Sequence, residues 1–202
     1  PALDALVVHG AQLGIEEFVV GMAHRGRLNV LANILEKPYK NIFKEFYATE
    51  YEKGISLGDV KYHLGFENIV TTDNGEKVKL SLIPNPSHLE TVGALAEGMV
   101  RARIDHHYGS DSSKIVPVII HGDAAIAGQG IVYEVVQMAL LPGYKTGGSI
   151  HLVVNNQVGF TTDYLEARSS TYRTDVAKVT RSPVFHVNGD DVEALIFTVK
   201  LA

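Results

Sequence analysis

Short runs of aliphatic and β-branched residues alternate along the chain with longer runs of helical periodicity. The short runs, which we predict to be strands, are 18–22, 79–83, 115–120, 149–154 and 184–187. Strands that alternate with helices are typical of βαβ units, in which the strands lie parallel in one sheet. The sequence therefore predicts an α/β fold with a mostly parallel sheet flanked by helices.

The predicted helices occupy five longer stretches between and after these strands. Their expected bounds are 3–13, 28–36, 90–107, 131–141 and 192–202. Gly14 and Pro38 are typical residues at which a helix ends. Asp190 and Glu193 have the spacing of a capping pair at the start of the last helix. No internal repeat or low-complexity linker divides the chain, so we expect residues 1–202 to form one domain.

Charge and composition exclude several classes of function. Eighteen Lys and Arg against 23 Asp and Glu give a net charge of −5 without a basic stripe, so we expect no nucleic-acid partner. The absence of Cys excludes disulfides and thiolate zinc sites. No apolar run reaches the ~20 residues of a membrane span, and the start does not resemble a signal peptide, so a soluble, intracellular protein with no membrane partner is predicted.

The two ends of the sequence favour a fragment. The chain begins without Met and stops within the last predicted helix. We therefore expect it to be part of a longer multidomain chain.

Polar side chains follow nearly every predicted strand. The set comprises His24, Ser87, His88, Asp123, Asn156 and Asn188. In parallel α/β sheets, ligands bind outside the carboxyl ends of the strands. We therefore expect these residues to lie on the binding edge of the sheet.

Asp123 and Asn156 are the candidates for one shared ligand. Each follows an apolar strand, and they lie about one βαβ unit, roughly 30 residues, apart, so both are expected at the same edge. Carboxylate and amide oxygens suit Mg²⁺, which keeps coordination positions for phosphates. Gly128 and Gly130 would let the backbone approach such a group at a helix start. The alternative is that each polar pair is only a turn, the first with a helix cap.

Several blocks of the sequence resemble one enzyme family. Gly-Asp followed about thirty residues later by Asn-Asn resembles the thiamine diphosphate motif. The flanking blocks are similar to the thiamine-diphosphate-dependent first component of 2-oxoglutarate dehydrogenases, and the likeness runs in order from about residue 3 to residue 202. The blocks are GMAHRGRLN at 21–29, GDVKYHLG at 58–65, NPSHLE at 85–90, HGDAA at 121–125 and NNQVGFTT at 155–162.

The resemblance implies a domain that binds the diphosphate side of thiamine diphosphate. It implies that Mg²⁺ is held by the side chains of Asp123 and Asn156 and by the backbone oxygen of Val158. The other cofactor neighbours that it implies are Arg25, Ser87 and Ala124. His121, two residues before the aspartate, is expected to support the site from behind.

The resemblance also implies that His24 and His63 are active-site histidines and that His88 lies beside the cofactor. The candidate catalytic residues are thus His24, His63 and His88. Histidine suits a 2-oxo dicarboxylic acid, because it donates hydrogen bonds to carboxylates and exchanges protons near neutral pH. For His24 the alternative is an anion-binding cluster with Arg25 and Arg27, and for His88 it is a loop histidine. The histidines given no role are His9, His106, His107, His151 and His186.

The implied activity is oxidative decarboxylation of 2-oxoglutarate, with transfer of the succinyl group to the lipoyl arm of a dihydrolipoyl succinyltransferase. In this family a second domain, usually across a homodimer, completes the site, so the remaining domains and a second subunit are expected partners. The fragment alone is expected to be inactive. The expected compartment is the cytoplasm of a bacterium or the mitochondrial matrix of a eukaryote.

Two alternatives to that activity stay open. The first is a 2-oxoadipate dehydrogenase of the same chemistry, against which the block from Val60 to His63 favours 2-oxoglutarate. The second is a noncatalytic α/β domain that binds a phosphorylated metabolite, in which Asp123 and Asn156 are turn residues.

Overall fold

A five-stranded sheet forms the centre of the protein. The computed structural model describes residues 1–47, 61–85, 88–159, 161–163 and 165–202. The strands are β1 (Glu17–Met22), β2 (Phe66–Thr71), β3 (Lys77–Leu82), β4 (Ile115–Gly122) and β5 (Ile150–Val154), in the spatial order β2-β3-β1-β4-β5. β3, β1, β4 and β5 run parallel, and β2 pairs antiparallel with β3. The predicted α/β fold with a mostly parallel sheet is confirmed.

Helices cover both faces of this sheet. They are α1 (Ala2–Gln12), α2 (Arg27–Asn33), α3 (Tyr39–Tyr47), α4 (Thr91–His106), α5 (Asp123–Gly128), α6 (Gly130–Met138) and α7 (Val192–Leu201). Short 3-10 helices lie at Lys61–His63, Ser112–Lys114 and Arg173–Val179, and two-residue strands β6 (Val158–Gly159) and β7 (Thr162–Asp163) pair with each other. No helix in the described ranges is long and apolar enough to cross a membrane.

The central strand β1 is buried along its whole length because helices pack on both of its faces. Phe18 and Val20 point into the apolar cluster that includes α1 residues, whereas Val19 packs with the buried residues of α4. Gly21 lets α4 come close, since a Cβ there would lie 3.2 Å from the carbonyl oxygen of Val92. The start of α4 is thereby held against the carboxyl end of β1.

The hairpin formed by β2 and β3 was not predicted. Its turn contains Asp73-Asn74-Gly75, a sequence typical of tight turns, and Gly75 adopts a φ of +89°. β2 alternates exposed with more buried positions, as a strand at the edge of a sheet does. The alternation was a signal for a strand that the sequence analysis missed.

Two predicted features are wrong. Residues 184–187 do not form a strand, and this exposed segment has no ladder with any strand in the described part of the chain. An apolar run becomes a strand only where a neighbouring strand supplies hydrogen-bond partners. The last helix is capped by Asp191, whose carboxylate accepts from the Ala194 amide at 3.0 Å, and not by Asp190.

The buried Arg27 side chain joins three segments at the carboxyl ends of β1 and β3. Its guanidinium donates to the carbonyl oxygens of Tyr62 at 2.7 Å, Leu64 at 3.2 Å and Met22 at 3.3 Å, and also to that of Ile83. Arg27 is fully buried, and burial lowers its pKa to about 10, so the charge is kept at neutral pH.

We expect Arg27→Met to lower the free energy of unfolding by about 3 kcal/mol or more, because several buried carbonyls lose their donor. Urea denaturation followed by circular dichroism measures the change. Lys114→Met is the control, since Lys114 forms an exposed pair with Glu16 and its loss should leave stability close to that of the unchanged protein. Equal effects of the two substitutions would contradict the role given to Arg27.

Candidate functional site

Most of the residues predicted for the binding edge lie where the parallel strands end. His24 and Arg25 follow β1, His88 comes six residues after β3, Asp123 directly follows β4, and Asn156 is two residues beyond β5. Because these strands are parallel, their carboxyl ends meet at one edge of the sheet. Ser87 and the block 58–60 lie outside the described residues, and Asn188 follows the segment that is not a strand.

Three histidines from separate segments meet at this edge. The ring centroids of His24 and His88 are 4.2 Å apart in an edge-on arrangement, and those of His24 and His63 are 5.7 Å apart and stacked. His63 is buried, whereas His88 is exposed. The fold therefore brings together all three histidines that the resemblance implied.

The surroundings of His24 favour its neutral form. Burial, then the neighbouring His88, His63 and Arg25, lower the pKa of His24 below the usual 6.5. A neutral imidazole offers one donor and one acceptor nitrogen, which a proton-transfer role requires. The alternative of a joint anion-binding cluster is not supported for Arg27, which is buried against carbonyl oxygens, while Arg25 is exposed at the site.

Backbone contacts fix the position of His63. Asn85 donates its amide hydrogen to the His63 carbonyl at 3.0 Å, and its side chain donates to the Met22 carbonyl at 3.0 Å. Gly65 permits the close packing that follows, because a Cβ there would lie 2.8 Å from Pro84 and 2.9 Å from the Leu82 carbonyl. The 61–65 segment is thus fastened to the ends of β1 and β3.

Gln129, between α5 and α6, holds the segment that carries His88. Its side-chain oxygen accepts from the Glu90 amide at 2.9 Å, and its side-chain nitrogen donates to the His88 carbonyl at 3.1 Å. One amide therefore links the histidine segment to the helix that Asp123 begins. No local pattern around Gln129 indicates this role.

A hydrogen-bonded row of two buried groups and one exposed histidine lies behind the edge. The Nδ1 of the buried His121 lies 2.7 Å from the buried Glu90 carboxylate, and its Nε2 lies 2.8 Å from the Nδ1 of His151. His151 keeps exposed surface, and desolvation, followed by the closeness of His121, lowers its pKa. His121 has the supporting position predicted for it, whereas the contact made by His151 was missed.

The turn that contains Asn156 folds back over α5. β4 and β5 are neighbours with Gly122 opposite Val154, so Asp123 and the 155–159 turn continue from adjacent strand ends. A Cβ at Gly159 would lie 3.1 Å from the Cβ of Ala124, which shows how closely the turn approaches the start of α5. The residues implied for the metal site therefore come from two segments in contact.

The side chains of Asp123 and Asn156 already make contacts. Asp123 is 3% exposed, and its Oδ2 accepts from the Nε of Arg173 at 3.1 Å. The Asn156 Oδ1 accepts from the Val158 amide at 3.0 Å, which is a turn contact. Asp123 is the first residue of α5, Gly122 occupies the N-cap position, and no side chain caps this helix.

These residues fit a magnesium ion that also binds phosphate oxygens. A buried carboxylate lies at the start of a helix that contacts the segment carrying an exposed amide and the exposed Val158. All of the donors are oxygens, which Mg²⁺ prefers. No group of three or more His, Cys, Asp or Glu in the described ranges is arranged to hold a metal. Mg²⁺ bound through one carboxylate ordinarily completes its octahedron with waters and phosphate oxygens.

Comparison with known proteins gives one consistent family. The dehydrogenase E1 component model matches residues 4–202. The chain is 50% identical over 204 residues to the mitochondrial 2-oxoglutarate dehydrogenase of Schizosaccharomyces pombe, of which it covers 20%. It is 51% identical over 203 residues to the 2-oxoglutarate dehydrogenase E1 component of Azotobacter vinelandii, of which it covers 21%.

A third relative has a broader name. The chain is 51% identical over 207 residues to the multifunctional 2-oxoglutarate metabolism enzyme of Mycolicibacterium vanbaalenii, of which it covers 17%. All three alignments include 100% of this chain. The chain thus spans about a fifth of the length of these curated relatives.

We expect His24 to titrate below 6.5 in the intact protein, and His88→Asn to raise its pKa toward that value by removing a neighbouring positive charge. NMR titration of ¹³C-labelled imidazoles measures both values. His186→Asn is the control, because His186 contacts Tyr172 and not His24. A pKa of His24 unchanged by His88→Asn would show that the two rings do not interact in solution.

Proposed function

The chain belongs to the dehydrogenase E1 component family, and on that premise we propose that it forms the diphosphate-binding and metal-binding domain of a 2-oxoglutarate dehydrogenase. The observation that carries the proposal is the meeting of two groups at one sheet edge: the histidines His24, His63 and His88, and the segments of Asp123 and Asn156. Relatives about 50% identical over the whole chain are named for 2-oxoglutarate.

The family uses thiamine diphosphate. In our proposal Asp123, Asn156 and the backbone oxygen of Val158 would hold Mg²⁺, which would neutralise the negative charge of the diphosphate. Further contacts to the cofactor come from Arg25, Ser87 and Ala124. When bound, thiamine diphosphate supplies an electron sink for loss of CO₂ from a 2-oxo acid. The domain itself contributes the metal ligands and the amide groups at the start of α5.

The histidines bind and orient the substrate in this proposal. A 2-oxo dicarboxylate brings two negative charges, and imidazoles can donate hydrogen bonds to both carboxylates. The lowered pKa of His24 favours its neutral form, which has one donor and one acceptor nitrogen, while the buried His63 is fixed by its backbone contacts. Gln129 holds the segment that carries His88, because its side chain donates to the His88 carbonyl.

The whole enzyme requires parts beyond this chain. We propose that residues 1–202 are one domain, that the remaining domains and a second subunit complete the site, and that a lipoyl arm of a dihydrolipoyl succinyltransferase receives the succinyl group. The compartment is the cytoplasm in a bacterium or the mitochondrial matrix in a eukaryote, as the name of the S. pombe relative indicates for that protein.

We expect Asp123→Ala in the intact enzyme to weaken Mg²⁺-dependent binding of thiamine diphosphate by roughly 100-fold, because a metal-binding carboxylate is lost. Calorimetric titration with the cofactor, with and without Mg²⁺, measures the loss. Asp105→Ala is the control, since Asp105 pairs with Arg101 near the end of α4 and makes no hydrogen bond with a described site residue. Thiamine diphosphate binding that depends on neither Mg²⁺ nor Asp123 would favour a noncatalytic binding domain.

We also expect the intact enzyme to prefer 2-oxoglutarate over the longer 2-oxoadipate by about tenfold or more in kcat/KM, because one methylene in a fitted pocket gives discrimination of that order. Steady-state decarboxylation of the two acids, measured with the same preparation, gives the ratio. A preference for 2-oxoadipate would contradict the proposed substrate and leave the proposed cofactor chemistry unchanged.

A further inference from the structure

The carboxylate of Asp123 is balanced by a positive side chain from a distant part of the sequence. Arg173 donates from Nε to the Asp123 Oδ2 at 3.1 Å, and its side chain is 12% exposed. Arg173 lies fifty positions after Asp123 and is the first residue of the 3-10 helix Arg173–Val179. In the described ranges, Arg173 is the only cationic residue within ion-pair distance of this carboxylate.

The contact is built into the fold. Val176 of the same 3-10 helix is buried with Ile126 of α5 and Val132 of α6 in an apolar cluster. This cluster holds the helix beside α5, while Lys178 on the same helix is 74% exposed and pairs with Asp175. Because Val176 anchors the helix, the position of this segment does not depend on the contact between Arg173 and Asp123 alone.

A buried carboxylate without a counter-charge destabilises a protein strongly. Arg173 and a divalent cation are therefore alternative partners for the same buried charge. They also repel each other if both stay close to Asp123, and a hydrogen bond to the guanidinium withdraws negative charge from the carboxylate. Simultaneous contact is thus less favourable than either contact alone.

We propose that Arg173 is the counter-ion that Mg²⁺ displaces from Asp123, so that metal binding exchanges one cation for another at this carboxylate. The inference rests on the proposed metal role of Asp123. Its consequence is a linkage: a group that stabilises only the metal-free protein weakens metal binding by the same factor. Removing the charge of Arg173 should therefore destabilise the metal-free protein and strengthen metal binding.

The test uses the intact enzyme saturated with thiamine diphosphate and titrated with MgCl₂. The variants are Arg173→Met, which keeps length without charge, Arg173→Lys, which keeps the charge on a different head group, and Lys178→Met as a matched control on the same helix. Isothermal calorimetry gives the Mg²⁺ affinity, and thermal unfolding in EDTA gives the stability of the metal-free form. Neither readout requires turnover.

We expect Arg173→Met to bind Mg²⁺ about tenfold more tightly and to unfold at a lower temperature in EDTA. Arg173→Lys should lie between Arg173→Met and the unchanged enzyme in both measurements. If Arg173→Met does not fold, Arg173→Lys replaces it in the test. Lys178→Met should match the unchanged enzyme.

Weaker Mg²⁺ binding by Arg173→Met would overturn the inference and show that the guanidinium orients Asp123 for the metal. Unchanged Mg²⁺ affinity would overturn it as well. Asp123→Ala separates the two proposals: if it leaves Mg²⁺ affinity unchanged, the metal role of Asp123 fails. If it abolishes Mg²⁺ binding while Arg173→Met does not tighten it, only the displacement of Arg173 fails.

Discussion

The guanidinium of Arg27 is the interaction on which the geometry of the site depends. Strand ends in a parallel sheet leave carbonyl groups without partners, and buried carbonyls need donors. Arg27 supplies donors to four carbonyls from the ends of β1 and β3 and from the 61–65 segment. Because His24 follows β1 and His63 lies in that segment, the same side chain that satisfies the backbone sets the distance between two histidines.

Much of the fold could be predicted because the spacing of apolar residues along the chain indicates which side chains are buried. β1 and β4 are buried on both faces and read as continuous apolar runs, so their positions were confirmed within a few residues. Residues 184–187 have a similar pattern, but whether such a run pairs depends on a neighbour that its own sequence does not contain. The hairpin strand β2 was missed for the opposite reason, since its half-exposed pattern is weak over six residues.

The same distinction applies to the site. Residues at strand ends were found because parallel topology alone brings them to one edge, and resemblance added His63, which no spacing argument reached. The groups that hold them in place were not found. Gln129, Glu90 and His151 act through contacts between segments 30 to 41 positions apart, and such contacts have no local signature.

The buried carboxylates of Glu17 and Asp123, at opposite ends of the sheet, differ in their number of partners. We infer that this number distinguishes a structural charge from one that can exchange its partner. At the amino end of β1, Glu17 is held by Arg103, Lys79, Ser81 and Tyr108, and burial, then Glu17, raises the pKa of Tyr108 to about 12. Removal of one partner there leaves several others.

At the carboxyl end of β4, Asp123 has a single ion-pair partner among the described residues, Arg173. Arg173 lies on the 3-10 helix Arg173–Val179, in which Val176 is the one buried residue. A charge with many fixed partners stabilises the fold, because no incoming ion can match all of its contacts. A charge with one ion-pair partner can exchange that partner for a cation, since the buried charge is compensated before and after the exchange. The Glu17 network lies at the opposite end of the sheet from the edge where ligand chemistry is proposed.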